Sequence, residues 1–404
     1  MRCWWTCILR AVQLDSRFIT VTAACIIQAV MVGAMFAYGV FFTFIEQELG
    51  WSRTLLSASM STAVLVMGVG AIAAGQLNDR LGPRGIMLVS GLCYALGYAL
   101  LSIVEAPWQL YLFFGVLIGI GLSTHDVVTL SVVARSFARR RGTMTGVVKV
   151  GTATGQIILP IAASLLIASV GWREACLVFG AVAAGLLSAA ALSMRIHTPP
   201  PQAGDTNATS DDGMPFAQAV RSRAMWTLAV TQFAFMPALL AIPLHLPVHG
   251  VDLGMSSAEA AALLSTIGAS SIAGRLVIGT SSDRIGGRQA LLISLSVMTV
   301  ALAALVYAHT PWLLFAIAIV YGFAHGGLFT VVSPTIAEYF GMRAHSSIFG
   351  VILFFGTIGA SVGPLAAGRA FDLTGSYGYA FGGLSGLAFF AFLLVASLPR
   401  RQVH

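Results

Sequence analysis

The sequence predicts an all-α membrane protein with twelve membrane-spanning helices in two six-helix bundles. Of its 404 residues, 57% are hydrophobic and only 9% are charged, and its mean hydropathy is +0.88. Soluble domains carry about 25% charged residues, so this composition excludes a soluble enzyme. The apolar residues also run in stretches of about 20 residues or more, the length of a helix that crosses a bilayer.

Stretches that lack charged residues, or contain only one, define the predicted helices. The stretch 106–134 is interrupted only by Asp126 and 260–282 only by Arg275, while the turn His309-Thr310-Pro311-Trp312 divides 289–337 into two helices. The remaining helices are 18–45, 54–78, 85–104, 150–172, 175–194, 224–251, 344–368 and 373–399. The predicted organisation is therefore a tail (1–17), a first bundle (18–194), a linker (195–223), a second bundle (224–399) and a tail (400–404).

The two bundles repeat one another. Residues 197–212, rich in Pro, Gly, Asp, Thr and Ser, have the composition of a flexible linker between them. Leu49-Gly50 recurs as Leu253-Gly254, an offset of 204 residues. At the same offset, the segment 75–84, GQLNDRLGPR, recurs as 279–288, GTSSDRIGGR. Chance does not produce this register, so the halves are copies of one six-helix unit.

The basic residues predict the orientation in the membrane. Most of the 22 Lys and Arg residues lie in segments on the same side as both termini, whereas the other loops hold Arg53, Arg173 and Arg369. The positive-inside rule therefore places both termini in the cytoplasm, here of a bacterial inner membrane. The net charge of +7 is a consequence of topology and does not indicate nucleic-acid binding. The five cysteines predict neither a disulfide framework nor a metal site, and we expect no cofactor.

The repeated GxxxDRxGxR motif places a carboxylate at the end of a helix and arginines on the loop that follows. Parallel six-helix repeats with this motif resemble the major facilitator superfamily over essentially the whole chain. The resemblance implies a latch of ion pairs that holds the two halves in one conformation. It assigns this latch to Asp79, Arg80, Arg84, Asp283, Arg284 and Arg288. Alternatively, the arginines only anchor the loops at the lipid headgroups.

Further motifs resemble the monocarboxylate transporter group within that superfamily. They include Gly50-Trp51-Ser52-Arg53, Gly171-Trp172-Arg173, Gly274-Arg275 and Ile336-Ala337-Glu338-Tyr339-Phe340-Gly341. The group's arginine in the eighth helix binds the substrate carboxylate, a role that the resemblance assigns to Arg275. The animal members also carry an aspartate one turn earlier for proton coupling. This chain has Ser271 at that position, beside the substrate site.

Three charged residues at membrane depth are the candidate functional residues, because an ionised side chain inside a bilayer costs about 2.5 to 3.5 kcal/mol or more. Arg275 presents a fork of donors that matches a carboxylate. Lys149, the only lysine, is expected to face the central cavity. Either cation could instead extend its charged end to the nearby membrane surface. Asp126 is expected to pair with Lys149, to carry a titrating proton, or to serve only in packing.

Two histidines and two tyrosines complete the predicted site. His325 and His125 join Asp126 as candidates for proton coupling, although a single histidine is more often a packing residue. Tyr38 and Tyr321 are expected to shape the substrate pocket.

The sequence therefore predicts a secondary transporter that moves a small organic anion by alternating access, with a small carboxylate substrate and protons as its partners. Proton-coupled monocarboxylate symport is the leading expectation. A dicarboxylate or anion exchanger of the oxalate and formate type is the first alternative, and a drug efflux protein or a nutrient sensor that does not transport are others. We expect a monomer in the bilayer, with no nucleic-acid partner.

Overall fold

The computed structural model describes residues 16–195 and 213–399. In this part of the chain twelve long helices are apolar enough to cross a membrane. They are α1 (Ser16–Leu49), α2 (Arg53–Leu81), α3 (Pro83–Leu101), α4 (Pro107–Ser136), α5 (Arg141–Val170), α6 (Trp172–Ser193), α7 (Arg223–Asp252), α8 (Ser257–Ile285), α9 (Gly287–Leu305), α10 (Pro311–Phe340), α11 (His345–Thr374) and α12 (Gly378–Ala396). The predicted all-α membrane fold is confirmed.

Most helices extend beyond the uncharged stretches, because helix ends carry charged residues into the interface with water. The largest difference is in α5, which begins at Arg141 rather than near residue 150. Lys149 therefore lies about two turns after the start of α5.

Helix α4 is irregular where it approaches the centre of the molecule. Residues Tyr111–Ile118 form a π-helical stretch, and the helix breaks into a turn at Ser123 and Thr124 before it resumes at His125. Departures of this kind from regular α-helix are frequent at functional sites. The break places His125 and Asp126 in the first turn of the resumed segment.

Each half has its own buried core. One cluster of buried residues consists entirely of first-half residues, and the other is built mostly from α7 to α12. The halves meet where α2 packs against α11 and α5 packs against α8. We call these contacts the α2–α11 seam and the α5–α8 seam.

The repeated motif forms a tight turn in each half. Gly82 and Gly286 have φ angles of +80° and +87°, and each ends one helix and starts the next. Residues other than glycine rarely adopt this backbone conformation, which explains the glycine in both copies. We call the end of the bundle that holds these two turns the Arg-rich end.

The predicted linker is only partly within the described residues. The low-complexity part and the tails 1–15 and 400–404, with Cys3 and Cys7, lie outside them. Residues 213–222, the last part of the predicted linker, pack on the second half. The Met214 amide donates to the Phe340 carbonyl at 2.8 Å, and Phe216–Ala219 forms a short helix.

Candidate functional site

A buried ion pair joins α4 and α5 in the first half. Lys149 Nζ donates to Asp126 Oδ1, and both residues are at most 7% exposed. The two charges therefore cancel where an isolated charge would be costly. The predicted cavity-facing lysine thus has a carboxylate partner on its own half.

The side-chain amide of Gln28 from α1 completes this cluster. Gln28 Nε2 lies 2.7 Å from Asp126 Oδ1, and Gln28 Oε1 accepts from Thr152 Oγ1 at 2.8 Å. His125 Nδ1 lies 2.6 Å from the Leu122 carbonyl, so this nitrogen carries the proton. Its other ring nitrogen faces Asp126 Oδ2 at 3.6 Å. We call Gln28, His125, Asp126, Lys149 and Thr152 the first-half polar cluster.

Arg275 on α8 approaches this cluster from the second half. Its side chain is 2% exposed, and Nη1 donates to the Lys149 carbonyl. Within residues 16–195 and 213–399, no group accepts a hydrogen bond from Arg275 Nε and no carboxylate forms an ion pair with it. Arg275 is thus a buried cation with an unused donor, an arrangement suited to a carboxylate ligand.

The Phe329 ring on α10 lies beside both cations. Lys149 Nζ is 5.5 Å and Arg275 Cζ is 5.9 Å from its centroid. These are cation–π distances, so the ring face stabilises two positive charges that would otherwise repel. No charge or motif in the sequence distinguishes Phe329, although it follows His325 by one helical turn.

Ser271 and His325 lie next to Arg275. Ser271 Oγ is 3.2 Å from His325 Nδ1, and the His325 ring is 5.0 Å from Phe329 and 5.7 Å from Tyr321. The Tyr321 hydroxyl donates to the Ala238 carbonyl at 2.9 Å, which ties this ring to α7. The structure therefore brings these three predicted residues together on the second-half side of the site.

Tyr38 does not join them. Its hydroxyl lies 2.8 Å from Ser59 Oγ, and its ring stacks on Phe114 with 3.7 Å between the centroids. It is 3% exposed within the core of the first half. In this conformation Tyr38 therefore packs between α1, α2 and α4 and does not contact the Arg275 group of residues.

At the Arg-rich end, the motif carboxylates cross between the halves. Asp79 Oδ2 accepts from the Ser347 amide at 2.8 Å, and Asp283 accepts from the Gly142 and Thr143 amides at 2.6 and 2.9 Å. Each carboxylate thus binds the N-terminus of a helix in the opposite half, where the helix dipole favours a negative charge. The contacts are related by the repeat, since Thr143 and Ser347 are 204 residues apart.

Within the described parts of the chain, the motif arginines do not form the predicted inter-half ion pairs. Arg80 and Arg284 are exposed. Arg84 Nε donates to Met194 and Arg288 Nε to Leu398, each a carbonyl of its own half. The ion pair of Asp79 is with Arg135, also of the same half. Among the described residues, the motif contacts that cross between the halves are therefore those of the carboxylates with helix N-termini.

Glycines allow the two seams to close at this end. A Cβ atom added to Gly146 would lie 2.4 Å from the Arg275 carbonyl oxygen, and one added to Gly350 would lie 2.3 Å from that of Ala71. Backbones approach so closely only where no side chain intervenes. The halves are thus tightly packed at the Arg-rich end, directly beside the site.

Comparisons with known proteins agree with this architecture. The family model described as Major Facilitator Superfamily matches residues 24–311 and 250–404. Monocarboxylate transporter 13 of Rattus norvegicus is 28% identical over 364 residues, covering 87% of this chain and 82% of the relative. The uncharacterized MFS-type transporter YhjX of Escherichia coli K12 is 25% identical over 339 residues, covering 83% and 84%. The crystal structure of FucP in the outward conformation has a TM-score of 0.73 at 15% identity, covering 95% of this chain and 99% of FucP.

Proposed function

Because this chain belongs to the major facilitator superfamily, whose matched relatives are transporters, we propose that it is a secondary transporter of small organic anions. Proton-coupled symport of a monocarboxylate is the mechanism that we favour. The observation that carries this proposal is the state of Arg275, a buried cation without a counter-carboxylate among the described residues. The names of the monocarboxylate transporter relatives support the same substrate class.

The charge balance of the site favours one carboxylate over two. Lys149 and Asp126 neutralise each other, so the site carries one net positive charge, on Arg275. A bound monocarboxylate would neutralise that charge, and the fork of Arg275 could receive both of its oxygens. A dicarboxylate would leave one negative charge buried unless Lys149 separated from Asp126. The same balance disfavours a cationic drug as substrate.

Proton coupling requires a group that can accept a proton near the substrate. With Ser271 in place of an acidic residue, His325 is the nearest candidate, because its ring contacts Ser271 and Phe329. His125 and Asp126 are the candidates on the first half, joined there to Lys149.

We place both termini in the cytoplasm of a bacterial inner membrane and retain the domain boundaries given above, with a monomer as the transporting unit. In this orientation the Arg-rich end faces the cytoplasm, and the closed seams correspond to a conformation that is shut toward the cytoplasm.

The test is uptake of radiolabelled lactate by the purified protein in liposomes, driven by an inward proton gradient. Arg275→Ala is expected to abolish uptake while the protein remains folded, as judged by thermal unfolding in detergent. Arg369→Ala, which removes an exposed arginine, is the matched control and should transport like the wild type. Uptake by Arg275→Ala at the wild-type rate would refute the assignment.

Two further measurements separate the mechanisms. Loss of gradient-driven uptake with an uncoupler supports symport. Uptake that depends on lactate or oxalate inside the vesicles, and not on the proton gradient, would favour an exchanger.

A further inference from the structure

Gln28 lies at the centre of the first-half polar cluster without carrying a charge. It is fully buried in α1, and its Nε2 atom is 2.7 Å from Asp126 Oδ1, 2.9 Å from the His125 carbonyl and 3.1 Å from Thr129 Oγ1. Its Oε1 atom accepts from Thr152 Oγ1 at 2.8 Å. One amide therefore connects α1 to both α4 and α5.

The chemistry of these partners fixes the orientation of the amide. A backbone carbonyl can only accept a hydrogen bond, and so can an ionised carboxylate, so the nitrogen of Gln28 must face His125 and Asp126. Thr129 Oγ1 donates to the same His125 carbonyl, which leaves its oxygen free to accept from Gln28. With the amide turned the other way, its oxygen would face these acceptors. Gln28 is thus held as a donor toward Asp126.

A fixed donor favours the ionised form of a carboxylate. The charged or titratable groups near Asp126 are Lys149 on α5, His125 on α4 and Arg275 on α8. Lys149 and Gln28 donate to the same oxygen, Oδ1. Protonation of Asp126 would weaken both bonds and leave Lys149 without its counter-charge.

We propose that Gln28 is the positioning residue that keeps Asp126 ionised, and that it thereby sets the charge of the anion site at plus one. The substrate's single carboxylate is then matched by Arg275 alone, and the coupling proton does not reside on Asp126. This inference rests on the proposed function in one respect, the binding of a carboxylate by Arg275.

The substitution Gln28→Glu tests the proposal because it changes the donor into an acid of the same shape. Two carboxyl groups at 2.7 Å cannot both ionise readily, so they would share a proton. With that proton bound, the site keeps its charge of plus one. Once the proton is lost at higher pH, the additional negative charge cancels that of Arg275.

The first readout needs no ligand. The shared proton binds more tightly in the folded protein than in the unfolded chain, where the two acids are apart. Its contribution to stability is therefore present at low pH and is lost as pH rises. We expect the Tm of Gln28→Glu in detergent to fall more steeply than that of the wild type between pH 5.5 and pH 8.5. Parallel profiles would overturn the proposal.

The second readout uses lactate as the probe. Gln28→Glu should bind lactate within about twofold of the wild type at pH 5.5 and at least about tenfold more weakly at pH 8.5, because like charges then meet. Thr152→Val is the matched control, since it removes a hydrogen bond from the same amide without changing any charge. Its affinity relative to the wild type should be the same at both pH values. A pH-independent loss in Gln28→Glu would show that Gln28 is only structural and would overturn the proposal.

A double variant covers the case in which Gln28→Glu does not fold. Gln28→Glu with Asp126→Asn exchanges the acid and the amide and restores the wild-type charge count, so it should fold and regain the wild-type dependence of Tm on pH. Failure of this variant to fold would overturn the proposal. If the wild type itself does not bind lactate, the proposed function fails, but the Tm difference at high pH still decides the role of Gln28.

Discussion

Gly146→Ala should open the Arg-rich end, although it adds only one methyl group. The new Cβ would lie 2.4 Å from the Arg275 carbonyl oxygen, whereas ordinary contacts begin at 3.4 Å. Helices α5 and α8 must therefore separate by about 1 Å, or the halves must part. Overpacking of this kind costs about 1–3 kcal/mol. Only the closed conformation bears that cost. The ratio of open to closed molecules should therefore rise about 5- to 150-fold.

Pulsed electron spin resonance between two spin labels measures this shift. Arg80 and Arg284 are suitable label positions because they are exposed at the Arg-rich end, one on each half. After replacement of the native cysteines, Gly146→Ala should enrich the longer distances. Gly185→Ala is the matched control, since a Cβ there meets nothing within 4 Å. Gly146→Ala with the distance distribution of the wild type and of Gly185→Ala would refute the reasoning.

Three further outcomes are expected. Removing either Lys149 or Asp126 leaves the other as an unpaired buried charge, at a cost of about 3–5 kcal/mol. The double variant Lys149→Ala with Asp126→Asn should therefore recover part of the lactate uptake that each single variant loses. Fully additive losses would argue against the pair. Asp283→Asn replaces its charge-assisted hydrogen bonds to α5, worth about 1.5–3 kcal/mol each, with weaker ones. This variant should therefore lengthen the same inter-label distances. Unchanged distances would contradict a latch role for Asp283. Tyr38→Phe should transport lactate with an unchanged KM, because among the described residues the Tyr38 hydroxyl bonds only within the first half. A raised KM would indicate that this hydroxyl contacts the substrate.

The fold was largely predictable because the membrane requires long uncharged segments, and the repeat indicated their grouping. Helix ends were less predictable. The stretch before Lys149 resembles a loop when charge alone is considered, since Arg139 to Arg141 precede it. It is nevertheless helical from Arg141 onward, and Asp283 accepts a hydrogen bond from the Gly142 amide in its first turn. That contact joins residues 141 positions apart and has no local signal.

The site was most predictable for its charged members. The cost of burying a charge drew attention to Lys149, Asp126 and Arg275, and the structure brings all three together. Gln28 and Phe329 escaped notice because an amide or a ring within a membrane helix is common. Their importance depends on neighbours from other helices. Tyr38 shows a further difficulty, because its position in a helix does not indicate which face meets the cavity.

The two seams at the Arg-rich end are related by the repeat, yet both membrane-depth cations lie on one of them. Lys149 and Arg275 belong to the α5–α8 seam, and the equivalent positions in the α2–α11 seam are Leu353 and Ala71, both buried and apolar. The two seams therefore have related positions, but the buried cations lie on the α5–α8 seam. Substitutions in the apolar α2–α11 seam are expected to change how fast the halves separate without changing which molecule is bound.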